Sequence, residues 1–337
     1  MATDFSCLTN EPRVLMEAEL KPILGHRFQP TGFPDLGPAR YDAPDGTPML
    51  LVESPQSVAN RLEEVCWDYA TNSLIAALGG LPYVSVRLPD GKEYTNSILE
   101  SHRLNSPYIL EGEDKSVFSF LKDNLGTLAE GAVDNRLLAR TLFQIDPNSV
   151  LHGVFLAKKD LAGGRLRLSR ALSGFIEAYG VQAAESGGVK LDRVDPQGDT
   201  NKGFGNVPFH RVEFTAKRIV ASFNLDLALL RSYRLETEAF ELLIALALYK
   251  IRRFLRLGLR LRTACDLEVN GDLRCIRPET FAVPAEAELE AQVKGLIQAC
   301  LNKGLFRSPP ITQVVWKAPP KKSASKSSQD AAGGSSK

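Results

Sequence analysis

The junction at Gly258, within "LETEAFELLIALALYKIRRFLRLGLRLRTACDLEV", constrains the fold more than any other feature of the chain. Before it, apolar residues fill a long helical segment; after it, they alternate strictly with polar ones, the period of a strand. Glu236 and Glu238 open the helix and cations close it, which suits the helix dipole, and Gly258 supplies the stop. Leu259, Leu261, Thr263, Cys265, Leu267 and Val269 then fall on one strand face, with Arg260, Arg262, Asp266 and Glu268 on the other. Asn270-Gly271 predicts a hairpin turn into "DLRCI".

The same junction concentrates charge. "KIRRFLRLGLRLRTAC" (250–265) holds six cations and no acid, in a chain whose formal net charge is +1. One explanation is a solvated face with snorkelling arginines; the other is contact with a phosphate backbone. Arg252, Arg253 and Arg256 cannot all face one way, because adjacent helix positions diverge by about 100°. Along the chain, residues 1–149 hold 12 Lys and Arg against 21 Asp and Glu, a net of −9, and residues 150–262 hold 19 against 11, a net of +8. Residues 263–337 add 10 against 8, a net of +2. Such segregation fits a basic groove on an acidic body, or copies stacked head to tail, and hints at a polyanionic partner.

Elsewhere the signals are local. "MLLVE" (49–53) reads as a strand, and Ser54-Pro55 as the N-cap and first residue of a helix with Val58, Leu62 and Val65 on its apolar face. Asp90-Gly91 predicts a hairpin, helices are expected near 115–125 and 132–143, and an apolar strand is expected from 149. That strand turns at Gly163-Gly164 and restarts with alternating Arg and Leu. Residues 184–208 form a polar, glycine-rich excursion, either a functional loop or a hairpin arm. A last helix is expected over 285–303. Strand, helix, strands, helix, strand is the order of an α+β domain with an antiparallel sheet, and a ferredoxin-like core with long insertions fits it. The expected division is an N-terminal strand and Pro/Gly-rich loop (1–48), a core (49–283), a C-terminal helix and extension (284–318) and a disordered tail (319–337).

Several classes of chemistry are not signalled. The five cysteines are scattered, with no C-x-x-C, so buried reduced thiols are expected. No run approaches the roughly 18 apolar residues of a membrane span. The N-terminal stretch lacks the features of a signal peptide, so a cytoplasmic location with no membrane partner is expected. No phosphate-loop, zincin or nucleophile-elbow motif occurs, and no cofactor or metal is expected. His152 reads as a core histidine. His210, beside Arg211, is open to phosphate contact or acid–base chemistry.

Four clusters suit nucleic acid. The first is the helix start "ESPQSVANRL", with Ser54, Gln56, Ser57, Asn60 and Arg61, which is either a phosphate site or plain capping. The second is "AKKDLAGGRLRLSR", with Lys158, Lys159, Arg165, Arg167 and Arg170, either a backbone track or a protected edge strand. The third is "NKGFGNVPFHR", where Lys202, Asn206, His210 and Arg211 offer donors and Phe204 or Phe209 a stacking ring; a mobile hairpin loop with Phe209 in the core is the plainer reading. The fourth is the opening run, with Arg253, Arg256, Arg260 and Arg262.

Together "LVESPQSVANRLE", "SVLHGVFLAKKDLAGGRLRLSRALSGFIEAYGV", "NKGFGNVPFHRVEFTAKRIVASFNLDLA" and "LLIALALYKIRRFLRLGLRLRTACDLEV" resemble the backbone subunit of type I CRISPR Cascade complexes, of the RAMP superfamily, with subtype I-G (formerly I-U) nearest. The resemblance spans roughly residues 50–270. It implies a ferredoxin-like, RNA-recognition-motif-like core with a hairpin thumb, here assigned to 178–208 in preference to 80–110. It implies a non-catalytic subunit that polymerises along CRISPR guide RNA, in a helical filament of copies, and presents the guide to target DNA. Other Cascade subunits (the large subunit and the guide-end-capping or processing subunit) and a helicase-nuclease recruited later are the implied partners. The family's guide-gripping first helix matches Ser54, Gln56, Ser57, Asn60 and Arg61. Its glycine-rich loop corresponds to 257–262, where one glycine remains. The competing readings are an RNA endonuclease, for guide processing or target cleavage, using His210 or Lys202, and an unrelated soluble protein with decorative surface cations.

Overall fold

Val14, Met16, Ala18 and Leu20 alternate with polar neighbours along Arg13–Pro22 and are buried, and this strand lies in the interior of the main sheet, with partners on both edges. The computed structural model describes residues 5–33 and 35–317, and its main sheet has eight strands, each antiparallel to its neighbours. The order from one edge is Arg260–Arg262, Cys265–Val269, Arg13–Pro22, Arg218–Asp226, Leu172–Tyr179, Pro48–Glu53 and Arg40–Asp42; Arg274–Arg277 also joins Arg13–Pro22. An interior strand of the sheet, Arg13–Pro22, thus comes from ahead of residue 49.

The first helix, Pro55–Glu64, lies against Leu172–Tyr179 and against the long helix Thr237–Leu257. The long helix also packs on the final helix, Glu286–Asn302. From Leu242 to Ile251 every residue of the long helix is buried, so it is a core helix rather than an amphipathic surface one. It ends before Gly258 as expected, although Gly258 has φ of −97°. What that position needs is room, since a Cβ there would meet the Phe254 ring at 2.5 Å.

Lys250 therefore carries an ammonium group into the core, where the fold answers it with a polar chain. Its Nζ donates to Asn148 Oδ1 and lies 2.9 Å from His152 Nε2. Asn148 Nδ2 donates to Glu63 Oε1 at 2.6 Å, and Arg103 forks onto both oxygens of Glu63 at 2.6 Å each. Burial and the neighbouring charge of Lys250 hold His152 well below its ordinary value, so its ring is neutral. Buried charges persist when they are paired and hydrogen-bonded in this way.

Three expectations about the sequence change. Residues 149–152 belong to the helix Pro147–His152 rather than to a strand, because buried Asp146 caps it, accepting from the backbone of Asn148 and Ser149 and from Ser149 Oγ. The strand after Gly258 folds back at Thr263-Ala264, so Arg260–Arg262 pairs with Cys265–Val269. The Asn270-Gly271 turn makes no hairpin. Cys265–Val269 and Arg274–Arg277 follow one another along Arg13–Pro22 in the same direction, with the residues between them looped out. That ten-residue strand is long enough to pair with both. Cys66, Cys265 and Cys300 are buried thiols, whereas Cys7 is exposed. Among the described residues no helix is long and apolar enough to cross a membrane, and the expected tail at 319–337 lies outside them.

Two outcomes follow from the buried groups. Arg103→Ala strands the Glu63 carboxylate without its fork and should cost about 3–5 kcal/mol in denaturant unfolding. Burial pushes the Asp146 carboxyl up to about 6 against the opposing hydrogen bonds from Ser149 and Ser97. The folded protein thus holds this proton to higher pH than the unfolded chain does, so the stabilising contribution is full at low pH and fades as pH rises from about 4 through 6. Urea midpoints measured across that window should fall more for the wild type than for Asp146→Asn.

Candidate nucleic-acid interface

The strand Pro48–Glu53 runs directly into the first helix, where Ser54 Oγ accepts the Ser57 N–H at 3.3 Å and Pro55 occupies the first turn. Glu53 is buried at this corner, 1% exposed, and accepts from Ser57 Oγ at 2.7 Å and from Arg61 Nε at 2.6 Å. Arg262 pairs with its other oxygen. Arg61 goes on to the Leu261 carbonyl at 2.6 Å and Arg262 to that of Gln29 at 2.9 Å. Ser54, Ser57, Arg61 and Arg262 thus clamp the helix start to the sheet edge.

Gln56 and Asn60, one turn apart, face outward and bond to each other at 3.4 Å. Arg170 reaches them from more than 100 residues away, donating to the Pro55 carbonyl at 3.0 Å and to Gln56 Oε1 at 2.8 Å. Next to it lies the small ribbon of Val154–Leu156 and Leu166–Leu168, with Arg167 on its outer face. Gln56, Asn60, Arg167 and Arg170 line a cleft of about 940 Å³, together with His102, His152 and Phe155. The structure therefore joins two of the five residues of the first sequence cluster to two of the five of the second. Sequence reasoning passed over Phe155, although the alternation of buried Val154 and Leu156 around it is the signal of an outward ring.

The remaining candidates lie elsewhere. Lys158 pairs with Glu111 and Arg165 donates to the Leu128 carbonyl at 2.7 Å, while Lys159 is exposed; none of the three lines the cleft. Lys202, Phe204, Asn206, His210 and Arg211 ride on an arm whose strands, Gln182–Lys190 and Val207–Thr215, pair residue for residue from Gln182↔Thr215 to Lys190↔Val207. Lys202 lies 3.7 Å from Asp199, His210 3.8 Å from Glu185 and Arg211 3.9 Å from Glu213. Asn206 accepts the Asp192 N–H at 2.8 Å, and Phe204 stands exposed with Val189, Leu191 and Val194. The other hairpin, at Tyr83–Arg87 and Glu93–Asn96, lies in a three-stranded sheet with Ile311–Val315.

The cation run from Lys250 is largely absorbed by the fold. Arg253 donates to the Val65 carbonyl at 2.7 Å, and Arg256 forks onto Glu286 at 2.6 Å through both nitrogens, holding that carboxylate below its ordinary value. Arg252 holds the Val283 and Pro284 carbonyls and Asp272. Arg260 stands exposed at the sheet edge across from Asp266. Among the described residues no group of three or more His, Cys, Asp or Glu is placed to hold a metal ion.

The model of the family CRISPR-associated protein GSU0053 matches residues 14–183. The chain belongs to this family. That span carries nearly all of the interior strand Arg13–Pro22, the first helix and both walls of the cleft. No curated protein matches the chain. Among solved structures it is similar to a chain of a "CRISPR RNA-guided surveillance complex, pre-nicking" at 13% identity and TM-score 0.40, over 76% of this chain and 74% of that one. It is also similar to Csc2 of Thermofilum pendens at 11% identity and TM-score 0.31, over 90% of this chain and 80% of that one.

The two classes of arginine separate by stability. Arg61→Ala removes a hydrogen-bonded partner of buried Glu53 and should cost about 2 kcal/mol in chemical denaturation. Arg167→Ala, on an exposed face, should stay within about 0.5 kcal/mol of the wild type.

Proposed function

We propose that this chain is a non-catalytic backbone subunit that polymerises along CRISPR guide RNA and presents it for pairing with target DNA in a type I surveillance complex, of the subtype I-G kind. One observation carries the reading: in a member of a CRISPR-associated family, Gln56, Asn60, Arg167 and Arg170 meet in one cleft at the start of the first helix. Such a set suits a sugar–phosphate backbone, because amides and guanidinium groups bond phosphate oxygens without reading base sequence. Specificity is left to base pairing.

The strand order supports a ferredoxin-like core for this reading. Arg13–Pro22, the first helix, Leu172–Tyr179, Arg218–Asp226, the long helix and Cys265–Val269 follow one another as βαββαβ, and the four strands stand in the order 4-1-3-2. The arm lies between the second and third of them, the place we assign to the thumb. Its exposed Lys202, Phe204, His210 and Arg211 then face RNA or a neighbouring copy. The large subunit, the guide-end subunit, target DNA and a later-recruited helicase-nuclease are the further partners of this reading, in the cytoplasm. His210 and Lys202 each face a carboxylate of the arm itself, which suits binding more than proton transfer.

The test is to purify the full chain from cells carrying a CRISPR array, wash with high salt and sequence the nucleic acid that co-elutes. Spacer-containing RNA on large assemblies is the expected result. A bare monomer that ignores added guide RNA at low salt overturns the reading. In salt titrations, Arg170→Ala and Lys202→Ala should each weaken binding to all RNA sequences alike and lower the slope by about 0.7 per lost contact. A sequence-selective loss would remove that residue from the phosphate track.

A further inference from the structure

Phe155 is a large aromatic that the fold leaves 53% exposed. Its neighbours Val154 and Leu156 are buried, so strand alternation turns its ring to the outer face of the ribbon. Directly opposite, in register, is Arg167, flanked by buried Leu166 and Leu168. Cross-strand partners on one face stand about 5 Å apart at their Cβ atoms, so ring and guanidinium stand side by side on the outer face of the ribbon. Both line the cleft whose other side holds Gln56, Asn60 and Arg170, and Arg170 is itself fixed by its bonds to the Pro55 carbonyl and Gln56.

The cleft thus pairs an aromatic face with anion-binding groups a short reach away, and a nucleotide has the matching halves. Resting on the RNA-binding reading, we propose that Phe155 and Arg167 form a stacking platform for one unpaired base of the bound strand, with Arg170, Gln56 and Asn60 meeting the adjoining sugar and phosphate. Every base has a π-face, so the platform accepts any sequence, as a guide carrier requires. The planar guanidinium of Arg167 extends the stack and a lysine there would not. Phe155 touches the base and carries no charge, so its loss leaves the electrostatic part of binding intact.

The experiment uses the full chain and a single-stranded guide RNA bearing 4-thiouridine at successive positions. Irradiation should give adducts on the peptide containing Phe155. Phe155→Ala should weaken binding by roughly 10-fold or more with an unchanged salt slope, and Phe155→Trp should restore it. Because the ring is exposed, the Ala variant should keep the wild-type unfolding midpoint, which separates lost stacking from lost folding. Wild-type affinity in Phe155→Ala with no adduct, while the wild-type protein binds RNA, overturns the platform and leaves the RNA reading standing. Unchanged RNA affinity with smaller assemblies in sedimentation also overturns it, and gives the ring to a second copy of the chain. A wild-type protein that binds no RNA overturns both.

Discussion

A buried ammonium group sets the terms for the rest of the molecule. Lys250 lies in the stretch of the long helix, Leu242–Ile251, that is buried at every residue, and an unpaired charge there would be intolerable. Its partners arrive from three other places: Asn148 and His152 from a short helix, Glu63 through Asn148 from the first helix, and Arg103 through Glu63 from a turn. Each must be in place for the others to be satisfied. The network also reaches the surface, because His152 offers its carbonyl to Arg170 at 3.4 Å and Arg103 donates to the Gly153 carbonyl at 3.3 Å. The walls of the cleft therefore hang from the same frame that hydrogen-bonds Lys250.

This frame divides the cations into two populations. Arg61, Arg252, Arg253, Arg256 and Arg262 tie elements together through carboxylates and carbonyls. Lys159, Arg167 and Arg260 stand on the surface, and Arg170 belongs to both groups, fixed at one edge and open to the cleft at the other. The local excess of positive charge near Gly258 is thus balanced in space by acids that are remote in sequence, chiefly Glu53, Asp272 and Glu286.

That remoteness marks what was legible in the sequence. Ser54-Pro55 and Gly258 announced their helix boundaries because capping and termination are decided by neighbouring residues. The glycine-rich excursion announced an arm for the same reason, although its return strand runs on to Thr215 because the two sides pair one to one. Ion pairs such as Glu53 with Arg262 depend on tertiary placement, and a run of arginines looks the same whether its acids are near or absent. Asn270-Gly271 carried a sound turn signal, but a long neighbouring strand offered both flanks a better partner than each other. At 149–152, an Asp-Pro helix start outweighed an apolar run that read as strand.

The position of Arg13–Pro22 has a consequence for how the chain is made. This strand leaves the ribosome well before its partners, one of which is Arg218–Asp226 while the others lie between 265 and 277. At about 5–20 residues per second, it waits roughly 10–40 s for its first neighbour. During that time both of its edges are open, and Val14, Met16, Ala18 and Leu20 have nothing in the main sheet to cover them. Glu17, Glu19 and Lys21, interleaved with those residues, supply the charge that keeps such a strand from pairing with the wrong partner.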